Sequence, residues 1–207
     1  TVPFARYVVM HREELALPFK RYQIQPVWRA DRPQKGRYRE FYQCDVDIIG
    51  RGELPLIYDS QVISTFYSAL KSFVDTPIKI RLNNRKFVSG VLDSIGVSEK
   101  AADIYNIIDH AEKVPAEKTL SALRALGLSE ENVVKITTLI NTHGDYNQVA
   151  KLGYENVGLA ELKQVYQELA DLGLEAEIEI DLKELFLELF GEWKKIALST
   201  ILAAVIM

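Results

Sequence analysis

The stretch that most constrains this chain is residues 27–50, VWRADRPQKGRYREFYQCDVDIIG, which is typical of a strand, a charged loop and a second strand. Pro33 and Gly36 interrupt the strand pattern and predict the loop between the two. Five cations lie close together there, with Asp31 as the only acid among them: Arg29, Arg32, Lys35, Arg37 and Arg39. Because like charges repel, such a cluster in a chain of net charge −4 favours an anionic partner.

The second strand indicates what kind of anion this is. Side chains alternate between the two faces of a strand. One face would carry polar and aromatic groups: Arg37, Arg39, Phe41, Gln43, Asp45 and Asp47. The other face would be mostly apolar, and we expect it to be buried in a core with Cys44 as an inert thiol: Tyr38, Glu40, Tyr42, Cys44, Val46 and Ile48.

The chemistry of the polar face favours a nucleotide next to an amino acid. Arginine forks suit phosphate or carboxylate, and an aromatic ring flanked by arginine can stack on a nucleobase. The two carboxylates further along the strand suit an ammonium or imidazole group. The alternative is an exposed amphipathic hairpin whose charges are simply solvated.

Residues 27–50, together with the opening residues TVPFARY, resemble the histidyl-tRNA synthetases. They look like motif 2 of these class II aminoacyl-tRNA synthetases in its eukaryote-like form. The resemblance implies an α+β fold, with a class II synthetase antiparallel sheet flanked by helices and a helical insertion module.

The resemblance also implies a reaction, that of a histidine–tRNA ligase. Such an enzyme activates histidine with ATP to histidyl-adenylate and transfers the histidyl group to histidine tRNA. Catalysis would depend on positioning and on offsetting negative charge. For ATP, the resemblance assigns the α-phosphate to Arg29 as the catalytic residue, the β- and γ-phosphates to Arg37, stacking on adenine to Phe41, and the adenine amino group to Asp31.

For histidine, the resemblance assigns four residues. Arg29 would bind the substrate carboxylate, Gln43 the amino group with Thr1 beside it, and Asp47 the imidazole or ammonium end. Magnesium ions would bridge the ATP phosphates, and no metal ligated by the protein is expected. The implied partners are histidine, histidine tRNA and a second copy of the full-length protein.

The composition sets limits on location. A single cysteine excludes an internal disulfide and fits a reducing compartment, so we expect a cytoplasmic protein. The opening residues carry no signal-peptide pattern. The apolar stretch at residues 196–207 is about a dozen residues long and too short to span a bilayer, so no membrane partner is expected.

Strand alternation changes to helical periodicity at Val97, which predicts three segments. Residues 1–96 would be catalytic core with motif 2, residues 97–172 a helical insertion without strands, and residues 173–207 an incomplete return to the core. Further elements are predicted from the local pattern: helices at 8–17, 59–74 and 85–95, and strands at 21–31 and 177–182. A strand at 77–82 is predicted to join the same sheet as the hairpin strands.

The resemblance weakens after Leu182. Lys183-Glu184-Leu185-Phe186 stand where the family has a loop bearing arginine and tyrosine, and motif 3 is not recognisable. We therefore expect the 207 residues alone to bind ATP weakly and charge tRNA poorly, and the natural protein to be longer. Two alternatives stay open: a non-catalytic histidine-sensing regulatory subunit of ATP phosphoribosyltransferase, and an inactive fragment with tRNA affinity only.

Overall fold

A computed structural model describes residues 2–30, 32–111 and 113–182. The chain divides into two compact units, the first ending at Val62 and the second beginning at Ile63. Helices combine with antiparallel strand pairs, and this confirms the predicted α+β class. The segment boundaries predicted at residues 96 and 172 remain a prediction.

The first unit is built on a β-hairpin. Strand β1 (Phe19–Trp28) pairs with strand β2 (Glu40–Ile49) in an antiparallel ladder. Helix α1 (Val2–Met10) precedes the hairpin, so the prediction of a helix at 8–17 is wrong. Pro3 was the overlooked signal, because proline is tolerated in the first turn of a helix.

The predicted burial of the hairpin is also wrong. The apolar side chains Tyr22, Trp28 and Tyr42 are each at least 70% exposed, and Cys44 is exposed too. Phe41, Gln43, Asp45 and Asp47 on the opposite face are half-buried. The reason lies in α1, which contributes an aromatic ring to the polar face rather than to the apolar one.

Helix α2 (Ile57–Lys71) confirms the helix predicted at 59–74 and crosses into the second unit. Among the residues that the structure describes, six further α-helices and a 3-10 turn of that unit contain most of the buried apolar residues: α3 (Arg85–Ser94), the 3-10 turn (Ser98–Lys100), α4 (Ala101–His110), α5 (Ala116–Ala125), α6 (Glu130–Asn141), α7 (Tyr146–Ala150) and α8 (Val157–Asp171). Helix α3 ends before Gly96, whose φ of 73° favours glycine.

A small mixed sheet belongs to the same unit. Strand β3 (Ile80–Leu82) runs parallel to β5 (Ile178–Asp181), which follows a 3-10 turn (Glu175–Glu177). The two-residue strand β4 (His143–Gly144) pairs antiparallel with β5. Two predictions are therefore wrong: β4 lies in a segment predicted to lack strands, and β3 pairs in a different sheet from the hairpin.

Candidate functional site

The candidate site lies on one face of the hairpin formed by β1 and β2. The ladder sets Arg21 opposite Asp47 and Val27 opposite Phe41, and the Arg29 N–H donates to the Arg39 carbonyl at 2.8 Å. Directly opposed residues share a face. Odd-numbered residues of both strands, together with Arg29 and Arg39 just beyond the strand ends, therefore form one surface, called the polar face below: Arg21, Gln23, Gln25, Val27, Arg29, Arg39, Phe41, Gln43, Asp45 and Asp47.

Three of the predicted site residues meet at one end of the polar face. The guanidinium carbon of Arg29 lies 4.8 Å from the centre of the Phe41 ring. The Arg29 Nη2 group donates to Gln43 Oε1 at 3.3 Å. A permanent cation thus lies beside an aromatic plate, the pairing that a nucleotide's phosphate and base require.

The Gln43 amide is oriented from both sides. While its oxygen accepts from Arg29, its Nε2 group donates to Asp45 Oδ1 at 2.6 Å. The strand pattern placed Asp45 on this face as one of two carboxylates suited to an ammonium or imidazole group, while the resemblance assigned it no role of its own. The network puts a carboxylate next to the amide, so an ammonium group approaching Gln43 would meet negative charge as well.

Asp47 lies at the opposite end of the polar face and forms an ion pair. Arg21 Nη2 is 2.6 Å from Asp47 Oδ2, and the Phe4 ring of α1 lies 3.6 Å from the Arg21 guanidinium carbon. Sequence reasoning missed Arg21. It precedes Arg29 by eight residues, so the alternation used for β2 would have placed it on the same face of β1.

The remaining predicted site residues lie away from this network. Arg37 is exposed in the loop between the strands, where its backbone exchanges two hydrogen bonds with Gln34, at 2.9 and 3.1 Å. Gly36, at φ 78°, makes the tight turn between them possible. Thr1 and Asp31 lie outside the described residues.

Comparison with known proteins identifies close relatives. The family model described as histidyl-tRNA synthetase matches residues 1–186. The histidine–tRNA ligase of Phocaeicola vulgatus is 40% identical over 190 residues, which cover 88% of this chain and 41% of that protein. The corresponding protein of Bacteroides fragilis is 42% identical over 191 residues, with the same coverage of each chain.

Two solved structures are similar to this chain. A histidyl-tRNA synthetase from Nostoc sp. PCC 7120 superposes with a TM-score of 0.78 at 31% identity, covering 88% of this chain and 44% of that one. An ATP phosphoribosyltransferase regulatory subunit/histidyl-tRNA synthetase from Bacillus halodurans C shares the fold, with a TM-score of 0.74 at 22% identity over 89% of this chain and 48% of that one. The chain thus spans less than half the length of these proteins. Because the family model matches almost all of it, the chain belongs to the histidyl-tRNA synthetase family.

Proposed function

We propose that this chain is the ATP- and histidine-binding part of a histidine–tRNA ligase, an aminoacyl-tRNA synthetase. Its reaction would be ATP-dependent activation of histidine to histidyl-adenylate, followed by transfer to histidine tRNA. The observation that carries the proposal is the position of Arg29, next to Phe41 and Gln43 on one face of the hairpin.

Arg29 has the central part in the proposed chemistry. A carboxylate oxygen of histidine attacks the α-phosphate of ATP, the phosphoanhydride bond breaks, and pyrophosphate leaves. Both reactants are anions and repel each other. A guanidinium that contacts both offsets the repulsion and aligns them, while Phe41 stacks on the adenine and the exposed Arg37 meets the outer phosphates.

The carboxylate-rich end of the polar face would bind histidine. Gln43, with Thr1, would contact the amino group, and the adjacent Asp45 adds negative charge there. Asp47 would meet the imidazole. Asp31 would read the adenine amino group, although aspartate reaches about one methylene less far than the glutamate usual at this position in the family.

Mg²⁺ would arrive with ATP and would neutralise part of the phosphate charge. No group of three or more His, Cys, Asp or Glu residues within the described ranges could hold a metal ion. The roles proposed here are those of the side chains alone.

The same proposal implies two partners, histidine tRNA as a substrate and a second copy of the full-length protein in a homodimer. It also implies a cytoplasmic location. None of the helices in the described part of the chain has the length and apolar character needed to cross a membrane.

The test is histidine-dependent ATP–pyrophosphate exchange with and without Arg29→Ala. Loss of one charge-assisted contact to the transition state should lower the rate by a factor of about 30 to 1,000. Arg12→Ala is the matched control, since it removes the same charge from an exposed residue of the first unit. Exchange by Arg29→Ala at the rate of the control would contradict the proposal.

Both alternatives predict no exchange, and histidine binding distinguishes between them. A histidine-sensing subunit would bind histidine but support no exchange, and an inactive fragment with tRNA affinity would bind neither small substrate. The likeness to the Bacillus halodurans protein concerns the fold alone, so it does not favour the sensor.

A further inference from the structure

The Arg21–Asp47 ion pair is not part of the chemistry described above. We propose that Arg21 is a positioning residue that makes Asp47 bind a neutral imidazole rather than a cationic side chain. Arg21 would thereby set the protonation state in which histidine is bound. This inference rests on the proposed function, in which Asp47 meets the substrate's side chain.

The pair leaves part of Asp47 accessible. Its Oδ2 atom is buried and lies 2.6 Å from Arg21 Nη2 without an aligned hydrogen bond, so the contact is an ion pair. The Asp47 side chain is nevertheless 37% exposed. Because Oδ2 is buried, that exposure belongs to the rest of the side chain, which includes Oδ1. One carboxylate oxygen thus faces Arg21, and Oδ1 is the oxygen that would accept a hydrogen bond from a ligand.

Arg21 is held firmly in this position. Its side chain is only 16% exposed, the Phe4 ring covers its guanidinium at 3.6 Å, and its Nη1 group donates to Gln23. An aromatic face stabilises a cation at this distance. Arginine is a cation, so Arg21 compensates the Asp47 charge.

This compensation determines what Asp47 can bind. An incoming imidazolium or ammonium is attracted by Asp47 and repelled by Arg21, whereas a neutral imidazole donates its N–H without adding a charge. Other charged groups lie on the strand and helix that surround the pair. Asp45, on the same face of β2, accepts a hydrogen bond from Gln43, and Arg6 of α1 is exposed. Histidine is therefore favoured over lysine and arginine, whose side chains are cationic at neutral pH.

The test is the affinity of the 207-residue chain for histidine, measured by ligand-observed NMR at about pH 5.5 and about pH 8. The imidazole of a histidine side chain ordinarily has a pKa of about 6.5. If only the neutral form binds, the Kd should be about tenfold higher at the lower pH. In Arg21→Met the uncompensated Asp47 should prefer the imidazolium, so the Kd should stay level or fall as the pH is lowered.

Lys20→Met is the control, because it removes a positive charge one residue earlier on β1, where Lys20 bonds Gln61 at 2.7 Å. It should keep the pH dependence of the unchanged chain. Arg21→Gln gives the same test if circular dichroism shows that Arg21→Met is unfolded. Arg21→Met should also bind lysine at least tenfold more tightly than the unchanged chain does.

An unchanged pH dependence in a folded Arg21 variant would overturn this inference and leave the proposed function standing. Failure of the unchanged chain to bind histidine at either pH would overturn the proposed function, and the inference with it.

Discussion

Replacement of Gly158, the second residue of α8, should destabilise the folded protein even when the new residue is alanine. A Cβ atom built at this position would lie 2.0 Å from the Phe87 backbone nitrogen and 2.5 Å from its Cα. Both atoms belong to the backbone of α3, so no change of rotamer can relieve the overlap. In Gly158→Ala the two helices must move apart.

The cost can be worked out from what this movement would disturb. The exposed Lys86 of α3 donates to Glu161 of α8, a contact that contributes little because solvent screens it. Two further hydrogen bonds join the helices through the residues that cap them, Asn156 Nδ2 to the Phe87 carbonyl at 3.1 Å and Asn84 Nδ2 to Glu161 Oε2 at 2.8 Å. Each contributes about 1 kcal/mol net. Overpacking against the buried Phe87 costs about 1–3 kcal/mol, and the higher helix propensity of alanine returns about 1 kcal/mol. The net loss is about 2–4 kcal/mol.

Thermal unfolding followed by circular dichroism measures this loss. The midpoint should fall by roughly 6–12 °C. Ala160→Gly, at an exposed position on the same helix, is the control and should cost only the propensity difference of about 1 kcal/mol. A higher midpoint for Gly158→Ala, as for a helical glycine facing open space, would refute the close approach of α3 and α8.

Two further predictions concern single side chains. Phe41→Ala should weaken ATP binding by about 1–3 kcal/mol, the value of a base stacked on an aromatic ring, while the calorimetric Kd for histidine stays within about twofold. Hydrogen bonds from Lys86 and Asn84 lower the pKa of Glu161. Its stabilisation is thus complete above the ordinary carboxyl pKa of about 4.3 and is lost as the pH falls through the lower folded value. In urea unfolding between about pH 7 and 3, Glu161→Gln should lose less stability on acidification.

Local patterns were enough to predict many elements of this fold. Strand β2 follows from the alternation at residues 37–48, since a period of two depends only on neighbouring residues. Helix α6 begins directly after Ser129, whose Oγ accepts from the Asn132 N–H at 3.2 Å, and serine followed by two glutamates is typical of a helix start. Strand β4 could not be found in this way, because two residues show no periodicity.

The packing of the hairpin could not be predicted from its own residues. Alternation separates the two faces of a strand but does not say which face another element covers. That depends on α1, which brings Phe4 against Arg21 on the polar face. The pairing of Arg21 with Asp47 also needed the strand register, which a loop of uncertain length leaves open in the sequence.

The register has a consequence for how a substrate would be oriented. Along the polar face the order is Arg29, then Gln43 with Asp45, then Asp47 compensated by Arg21. Neighbouring positions on one face of a strand are about 6.8 Å apart, so Arg29 is separated from the carboxylates of Asp45 and Asp47. A zwitterionic amino acid placed with its carboxylate at Arg29 and its ammonium near Gln43 and Asp45 has both charges matched, and in the reverse orientation both are opposed. If the proposed function holds, the face would favour one direction of binding, with the substrate carboxylate at Arg29, where activation by ATP would occur.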